Sequence, residues 1–201
     1  MIKVERPEGD FARDYDKLVQ GESAHFVWLN RGKESLRLDL KDAGDFRLLE
    51  RMLARADVLI QNLAPGAIDR LGLGVDVLAE RHPSLVVCSI SGYGETGPYR
   101  EMKAYDLLVQ AESGLASVNG IGEVSTRVGV SVCDIAAGMT AYQGILQALF
   151  ARERTGRGRH VPVSLFGAIG EWMNVPFLQF VHSGKVPPRL GLYHPSIAPY
   201  G

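Results

Sequence analysis

The sequence predicts an α/β protein, a parallel sheet with flanking helices, on three observations. Helix-spaced segments alternate with short apolar runs between Asp45 and Ile90. Those runs are continuously apolar, as strands covered by helices on both faces tend to be. A long helix-spaced segment then leads directly into a further strand-like run. At 201 residues, 46% hydrophobic and 22% charged, the chain can build a substantial core, which excludes disorder and collagen-like repeats. A formal net charge of -1, from 22 basic and 23 acidic side chains, excludes a general electrostatic pull toward nucleic acid or anionic membrane.

The elements follow in order. Met1-Ile2-Lys3-Val4-Glu5 alternates like a strand and is broken by Pro7 and Gly9, with nothing before it to pair with. From Asp45, the positions Phe46, Leu49, Leu53 and Ala56 recur at helix spacing, with Arg47, Glu50, Arg51 and Arg55 forming the wet face. Val58-Leu59-Ile60 then reads as a strand buried on both faces, ended by Gln61-Asn62. Gly74 through Arg81 reads as helix stopped by Pro83, and Leu85-Val86-Val87-Cys88-Ser89-Ile90 as a second buried strand. The longest helix starts at or just after Asp134, where Ile135, Met139, Tyr142, Leu146 and Leu149 form an apolar stripe, and it stops at Thr155-Gly156. Its second face, Ala137, Ala141, Gly144 and Ala148, is small enough for a neighbouring backbone to come close. His160-Val161-Pro162-Val163-Ser164-Leu165 reads as an edge strand, because Pro162 cannot donate to a ladder. The chain ends in a Pro-rich loop, so both termini read as cut and a longer domain is expected.

Few residues carry obvious chemistry. Cys88 and Cys133 sit in apolar stretches as buried free thiols, and the five histidines form no zinc or nucleophile motif, so no metal is expected. Gly92-Tyr93-Gly94-Glu95-Thr96-Gly97 has GxGxxG spacing, but Pro98 follows and the dinucleotide context fails. Arg6, Lys33, Lys41, Arg70 and Lys103 each stand near the end of an expected strand or in the loop beyond it, where open α/β sheets bind ligands. Asp134 interrupts a small, apolar approach where the long helix begins. It reads either as an N-cap kept ionised by the helix dipole or as a carboxylate nucleophile with room for an acyl group. No apolar run is long enough to span a bilayer and no signal layout opens the chain, which reads as cytosolic.

Several segments together resemble the class III CoA-transferases, the family of formyl-CoA transferase, carnitine CoA-transferase and the 2-methylacyl-CoA racemases. They are Ile2-Lys3-Val4-Glu5-Arg6-Pro7, Asn30-Arg31-Gly32-Lys33 running on to Leu38-Asp39-Leu40-Lys41, Ala56-Asp57-Val58-Leu59-Ile60-Gln61-Asn62, Pro65-Gly66-Ala67-Ile68-Asp69-Arg70-Leu71-Gly72, Ser91-Gly92-Tyr93-Gly94, Gly97-Pro98-Tyr99 and Thr155-Gly156-Arg157-Gly158. Their order and spacing agree along nearly the whole chain.

The resemblance implies a Rossmann-like, CoA-binding large domain spanning residues 1–201 in part, with the small domain and the C-terminal return absent. It implies that Asp134 attacks an acyl-CoA thioester to give a mixed anhydride, that CoA returns to form an aspartyl-CoA thioester, and that a free carboxylic acid completes the exchange. It places CoA against Arg6, Leu38, Lys41, Asn62, Leu63, Ala64, Arg70, Met102, Lys103 and Tyr105, with CoA or acyl-CoA as substrate and no tightly bound cofactor. Family members form interlocked homodimers in the cytoplasm and need neither nucleic acid nor membrane. In the racemases a His precedes an Asp after the Gly-Pro loop; here the stretch is Lys103-Ala104-Tyr105-Asp106, so racemase is the alternative reading, and an inactive CoA-binding fragment is another. The segments Phe26-Val27-Trp28-Leu29-Asn30-Arg31-Gly32-Lys33 and Gly120-Ile121-Gly122-Glu123 resemble members acting on small branched dicarboxylic acids such as mesaconate, itaconate or citramalate, with Arg127 a candidate for the second carboxylate.

Overall fold

The computed structural model describes residues 1–199, so the last two residues of the Pro-rich end lie outside the described residues. The chain divides into two compact units, Met1–Arg55 and Ala56–Gly201. The first contains β1 (Ile2–Glu5), a 3-10 turn (Phe11–Asp14), α1 (Ala24–Asn30), β2 (Glu34–Arg37) and α2 (Ala43–Leu53). The opening strand does have a partner: β1 and β2 pair in parallel from Ile2↔Glu34 to Glu5↔Arg37. The Leu38 amide extends the ladder by donating to the Glu5 carbonyl at 2.9 Å. The alternation of β1 is inverted relative to an ordinary core strand, with Ile2 and Val4 exposed and Glu5 buried. Glu5 is held there by Ser35 Oγ at 3.1 Å, Arg13 at 3.5 Å and Lys3 at 3.6 Å, and a buried carboxylate needs such partners. α2 starts where the Asp42 side chain accepts from the Gly44 and Asp45 amides, and it buries Leu49 and Leu53.

In the second unit, β3 (Val58–Gln61), β4 (Val86–Ser91) and β7 (His160–Ser164) form a parallel sheet in the order β3-β4-β7. Between β3 and β4 lie α3 (Ala67–Arg70) and α4 (Val75–Arg81). Between β4 and β7 lie α5 (Asp106–Glu112), α6 (Leu115–Val118), the β5–β6 hairpin (Gly120–Ile121 and Val124–Ser125) and α7 (Val132–Thr155). α8 (Leu165–Trp172) and α9 (Asn174–Ser183) follow β7. Central β4 is buried through Val86, Val87, Cys88 and Ser89. β3, expected to be covered on both faces, is instead a border strand of this sheet with Ile60 49% exposed. β7 occupies the other border as Pro162 requires, with Pro162 opposite Ser89.

The 24 residues of α7 extend over about 36 Å. The helix starts at Val132, two residues before the expected Asp134, so Asp134 is the third residue of its first turn and Ser131 takes the N-cap position. The apolar stripe is largely exposed: Met139 is 56%, Tyr142 64% and Leu146 47% exposed. The small face packs, as its spacing predicts, with Ala136, Ala137, Ala141, Ile145 and Ala148 buried in one core with Val86, Cys88 and Val163. A large side chain facing the sheet would hold the helix off it, whereas an added Cβ at Gly144 would already come within 2.6 Å of Val161 Cγ1.

The far end of α7 is fixed to the strand starts. Arg152 Nη2 meets Asp57 Oδ1 at 2.8 Å just before β3, and Nη1 donates to the Ser84 carbonyl at 3.1 Å just before β4. Gly156 ends the helix at φ +68 in the left-handed region, and the Gly158 amide donates to the Pro83 carbonyl at 2.8 Å. α7 therefore runs antiparallel to the strands, and its first turn lies toward their C-terminal ends.

An added Cβ at Gly158 would collide with the Leu85 carbonyl, which is backbone and cannot rotate away. Gly158→Ala should lower stability in urea by about 1–3 kcal/mol, the usual cost of overpacking. An unchanged denaturation midpoint would show that this turn can relax.

Candidate active site

The loops leaving β3 and β4 and the first turn of α7 all lie at the C-terminal end of the β3-β4-β7 sheet. After β3, Gln61 Oε1 accepts from the Leu63 amide at 2.8 Å and forms a tight turn carrying exposed Asn62, Leu63 and Ala64. Gly66, at φ +70, starts α3, and an added Cβ there would lie 3.1 Å from Arg70 Nη1. After β4, Gly92 packs so closely on Ala104 that a Cβ could not be accommodated. This fixes the segment of Met102, Lys103 and Tyr105, of which Met102 is 44% and Tyr105 71% exposed.

The remaining expected contacts lie in the first unit. Arg6 and Leu38 follow β1 and β2 at the same end of that two-stranded sheet, and Lys41 lies in the turn before α2. Arg6 Nε donates to the Gly9 carbonyl at 3.1 Å, while most of its side chain stays exposed. Leu38 is only 4% exposed and its amide is already bonded to Glu5, so it offers little surface to a ligand. Lys33 precedes β2 and so lies at the opposite end from Arg6. Arg127 is committed to its own backbone, donating to the Val128 and Gly129 carbonyls at 3.2 and 3.0 Å.

The carboxylate that does cap α7 is Asp106, the first residue of α5. Its Oδ1 accepts from the Cys133 amide at 2.7 Å and the Asp134 amide at 3.3 Å, satisfying two of the donors that a helix N-terminus leaves open. Its Oδ2 accepts from Gln110 Nε2 at 2.5 Å. Gln110 is fully buried and uses its own Oε1 to accept from the Val128 amide at 2.8 Å. Asp106, Val109 and Gln110 all point inward at helix spacing. A polar pair four residues apart on a buried helix face is the sequence signal that marks this pair.

With Asp106 serving as cap, Asp134 is left to present its side chain. That side chain reaches solvent, yet crowding by surrounding atoms, joined by the Asp106 charge, raises its carboxyl above the ordinary 3.8. This reverses the expectation that the helix terminus would favour its ionised form. Desolvation and a like charge outweigh the dipole here. The result is a carboxylate of raised basicity with small neighbours, Ala137 and Gly138, one turn further along. Cys133 is buried, and desolvation with the two flanking carboxylates pushes its thiol up to about 12, so it is no rival nucleophile.

The frame is thus a parallel α/β sheet with the Asp134 carboxylate toward its C-terminal end. The chain belongs to CoA-transferase family III, which it matches over residues 1–201. It is 43% identical over 202 residues to an acetyl-CoA:oxalate CoA-transferase of Acetobacter aceti, covering 99% of this chain and 52% of that protein. It is 34% identical to a succinyl-CoA:glutarate CoA-transferase of Mus musculus, covering all of this chain and 47% of the relative. A CAIB/BAIF family protein from Brucella suis shares its fold at a TM-score of 0.91 and 36% identity, over 99% of this chain and 54% of that one. The chain thus spans about half the length of the relatives it matches.

A carboxyl raised in the folded state binds its proton more tightly there than in the unfolded chain. Its charged form therefore costs stability, increasingly as pH rises from 3.8 through the raised value. Asp134→Asn should shift the urea midpoint upward at pH 7, with the difference vanishing below about pH 4; a lower midpoint at pH 7 would contradict this. Both thiols should also resist a disulfide reagent in the native protein and react on unfolding, since Cys88 and Cys133 are buried; prompt native labelling would contradict the packing.

Proposed function

We propose that this chain supplies the nucleophile and the CoA-binding face of an enzyme that moves CoA from an acyl-CoA thioester to a free dicarboxylic acid. The observation that carries this reading is Asp134, held on the first turn of α7 at the C-terminal end of the sheet with its basicity raised. The two named relatives act on oxalate and glutarate, which supports a dicarboxylic acceptor.

In this reading an Asp134 oxygen attacks the thioester carbon, the C–S bond breaks, and CoA leaves as thiolate from a mixed anhydride. The thiolate then attacks the Asp134 carbonyl of that anhydride, releasing the first carboxylate and leaving an aspartyl-CoA thioester. The acceptor carboxylate attacks this thioester to form a second anhydride, again freeing the thiolate. Attack of the thiolate on the acceptor's acyl carbon gives the new thioester and returns Asp134 as carboxylate. No redox partner or external proton is needed. Arg6 and Lys41 in the first unit, and Arg70 and Lys103 in the second, each carry charge of the kind that meets phosphates through charge-assisted bonds. Exposed Asn62, Leu63 and Ala64 offer short-range contacts, and exposed Met102 and Tyr105 offer apolar surface to an adenine, flat in the case of Tyr105. The family resemblance extends the reading to an interlocked homodimer of the whole protein, acting in the cytoplasm.

The test is to incubate the protein with acetyl-, succinyl-, mesaconyl- and itaconyl-CoA, with and without oxalate, glutarate and citramalate, and to read products and adducts by mass spectrometry. CoA should appear on a dicarboxylate, with a hydroxylamine-sensitive adduct at Asp134. Asp134→Ala should remove both, lowering the rate by about a thousandfold or more. Exchange of the α-proton in deuterated water without any transfer would overturn the reading in favour of racemisation.

A further inference from the structure

We propose that Asp106 is a positioning residue for the Asp134 carboxylate: it clamps the first turn of α7 through two backbone amides and sets a fixed negative charge behind the nucleophile. The inference rests on the reading of Asp134 as nucleophile, and it assigns the neighbouring carboxylate a role that does not require it to touch substrate.

The geometry argues for a built device. Asp106 is 9% exposed, and its two oxygens divide their work, Oδ1 on the Cys133 and Asp134 amides and Oδ2 on Gln110 Nε2. Gln110, fully buried, carries the connection on to the Val128 amide, in the stretch that leads into α7. Three segments are thereby tied to one carboxylate: the start of α5, the approach at Val128 and the turn bearing Asp134. Ser131, which occupies the N-cap position, makes no side-chain cap bond, so the capping function has passed to a residue from another helix. An ordinary Ser, Thr or Asp cap would satisfy these amides at less cost than burying a carboxylate. The buried carboxylate does what a local cap could not. It holds a second negative charge beside Asp134, disfavouring the loss of its proton and increasing the basicity of its oxygens.

The other titratable groups near this helix are placed differently. Among the elements packed against α7, α5 also carries Glu112, α8 carries Glu171, β7 carries His160 and β4 carries Cys88. Glu112 acts on Tyr93, Glu171 lies by Thr140 and Gln143, and His160 bonds Ser89 Oγ at 3.0 Å. Asp106 is the group bonded to the turn that carries Asp134.

The experiment separates this role from simple structural support. In protein labelled with carboxyl-13C aspartate, the Asp134 resonance, assigned by its loss in Asp134→Asn, is titrated by NMR. Asp106→Asn keeps an oxygen for the two amides but removes the charge, and should move the Asp134 midpoint to lower pH by at least ~0.5 unit. Asp106→Ala removes the clamp, and should abolish hydrogen-exchange protection at the Cys133 and Asp134 amides. It should also lower kcat for CoA transfer by about a hundredfold, the scale of a roughly 1 Å misplacement, with KM for acyl-CoA within about twofold. Should Asp106→Asn alone fail to fold, Asp106→Asn with Gln110→Glu restores complementary partners, since the new amide can donate to the new carboxylate while the latter still accepts from Val128. There the negative charge is displaced to position 110 and not removed, so a smaller downward midpoint shift is expected. A folded variant whose Asp134 midpoint stays at the wild-type value overturns the proposal. Full transfer activity in Asp134→Ala would overturn the nucleophile reading instead, while the titration would still report whether Asp106 acts on Asp134.

Discussion

The close approach of α7 to the sheet is the constraint on which the rest of the second unit depends. Alanines line the packed face, and Gly144 meets Val161 where even a methyl group would crowd. A helix held this tightly has little freedom to slide or rotate, so its two ends become fixed points. At one end Arg152 ties it to the starts of β3 and β4. At the other Asp106 holds its first turn. The position of the Asp134 carboxylate is thus set by packing along the whole helix and by hydrogen bonds at both extremities.

Electrostatics at the first turn run against the simplest expectation for a helix N-terminus. A helix dipole favours an anion there, worth a few tenths to about 1 kcal/mol at exposed sites. Crowding and the neighbouring carboxylate act in the opposite direction and prevail at Asp134. The two aspartates have divided the functions that one could serve. Asp106 takes the amides and is buried, and Asp134 is freed from capping and faces outward.

Much of this was legible from local sequence. Pro162 alone predicts that β7 borders its sheet, and Gly156 predicts the end of α7 within a residue. The small face of α7 is visible as spaced Ala and Gly. Beyond these elements, tertiary context decides which faces are buried and which stay open. On α7 the small face packs as its spacing predicts, and the Met139, Tyr142 and Leu146 stripe is left exposed because sheet and helix backbones approach too closely for large side chains. Likewise Val58-Leu59-Ile60 reads as covered on both faces, but Ile60 is half exposed on a border strand. Asp106 is inconspicuous in the sequence because an acidic residue in a helix's first turn is ordinary, and its partner amides lie 27 and 28 residues away. The ion cluster around Glu5 is hidden for a related reason, since Ser35 lies 30 residues further along.

The pairing of β4 with β7 also bears on the order in which the molecule assembles. Val87 waits for His160 and Ser91 for Ser164, so the central strand lacks one neighbour until the chain has passed through α7. Closing so long a loop costs entropy that is recovered only when the distant contacts form, which makes this pairing a late and slow event. Because α7 joins directly to β7, the turn bearing Asp134 reaches its final place in that same late step. During synthesis on a ribosome, the carboxylate would therefore be the last part of the sheet's rim to take shape, after the loops from β3 and β4 already have a strand pair to stand on.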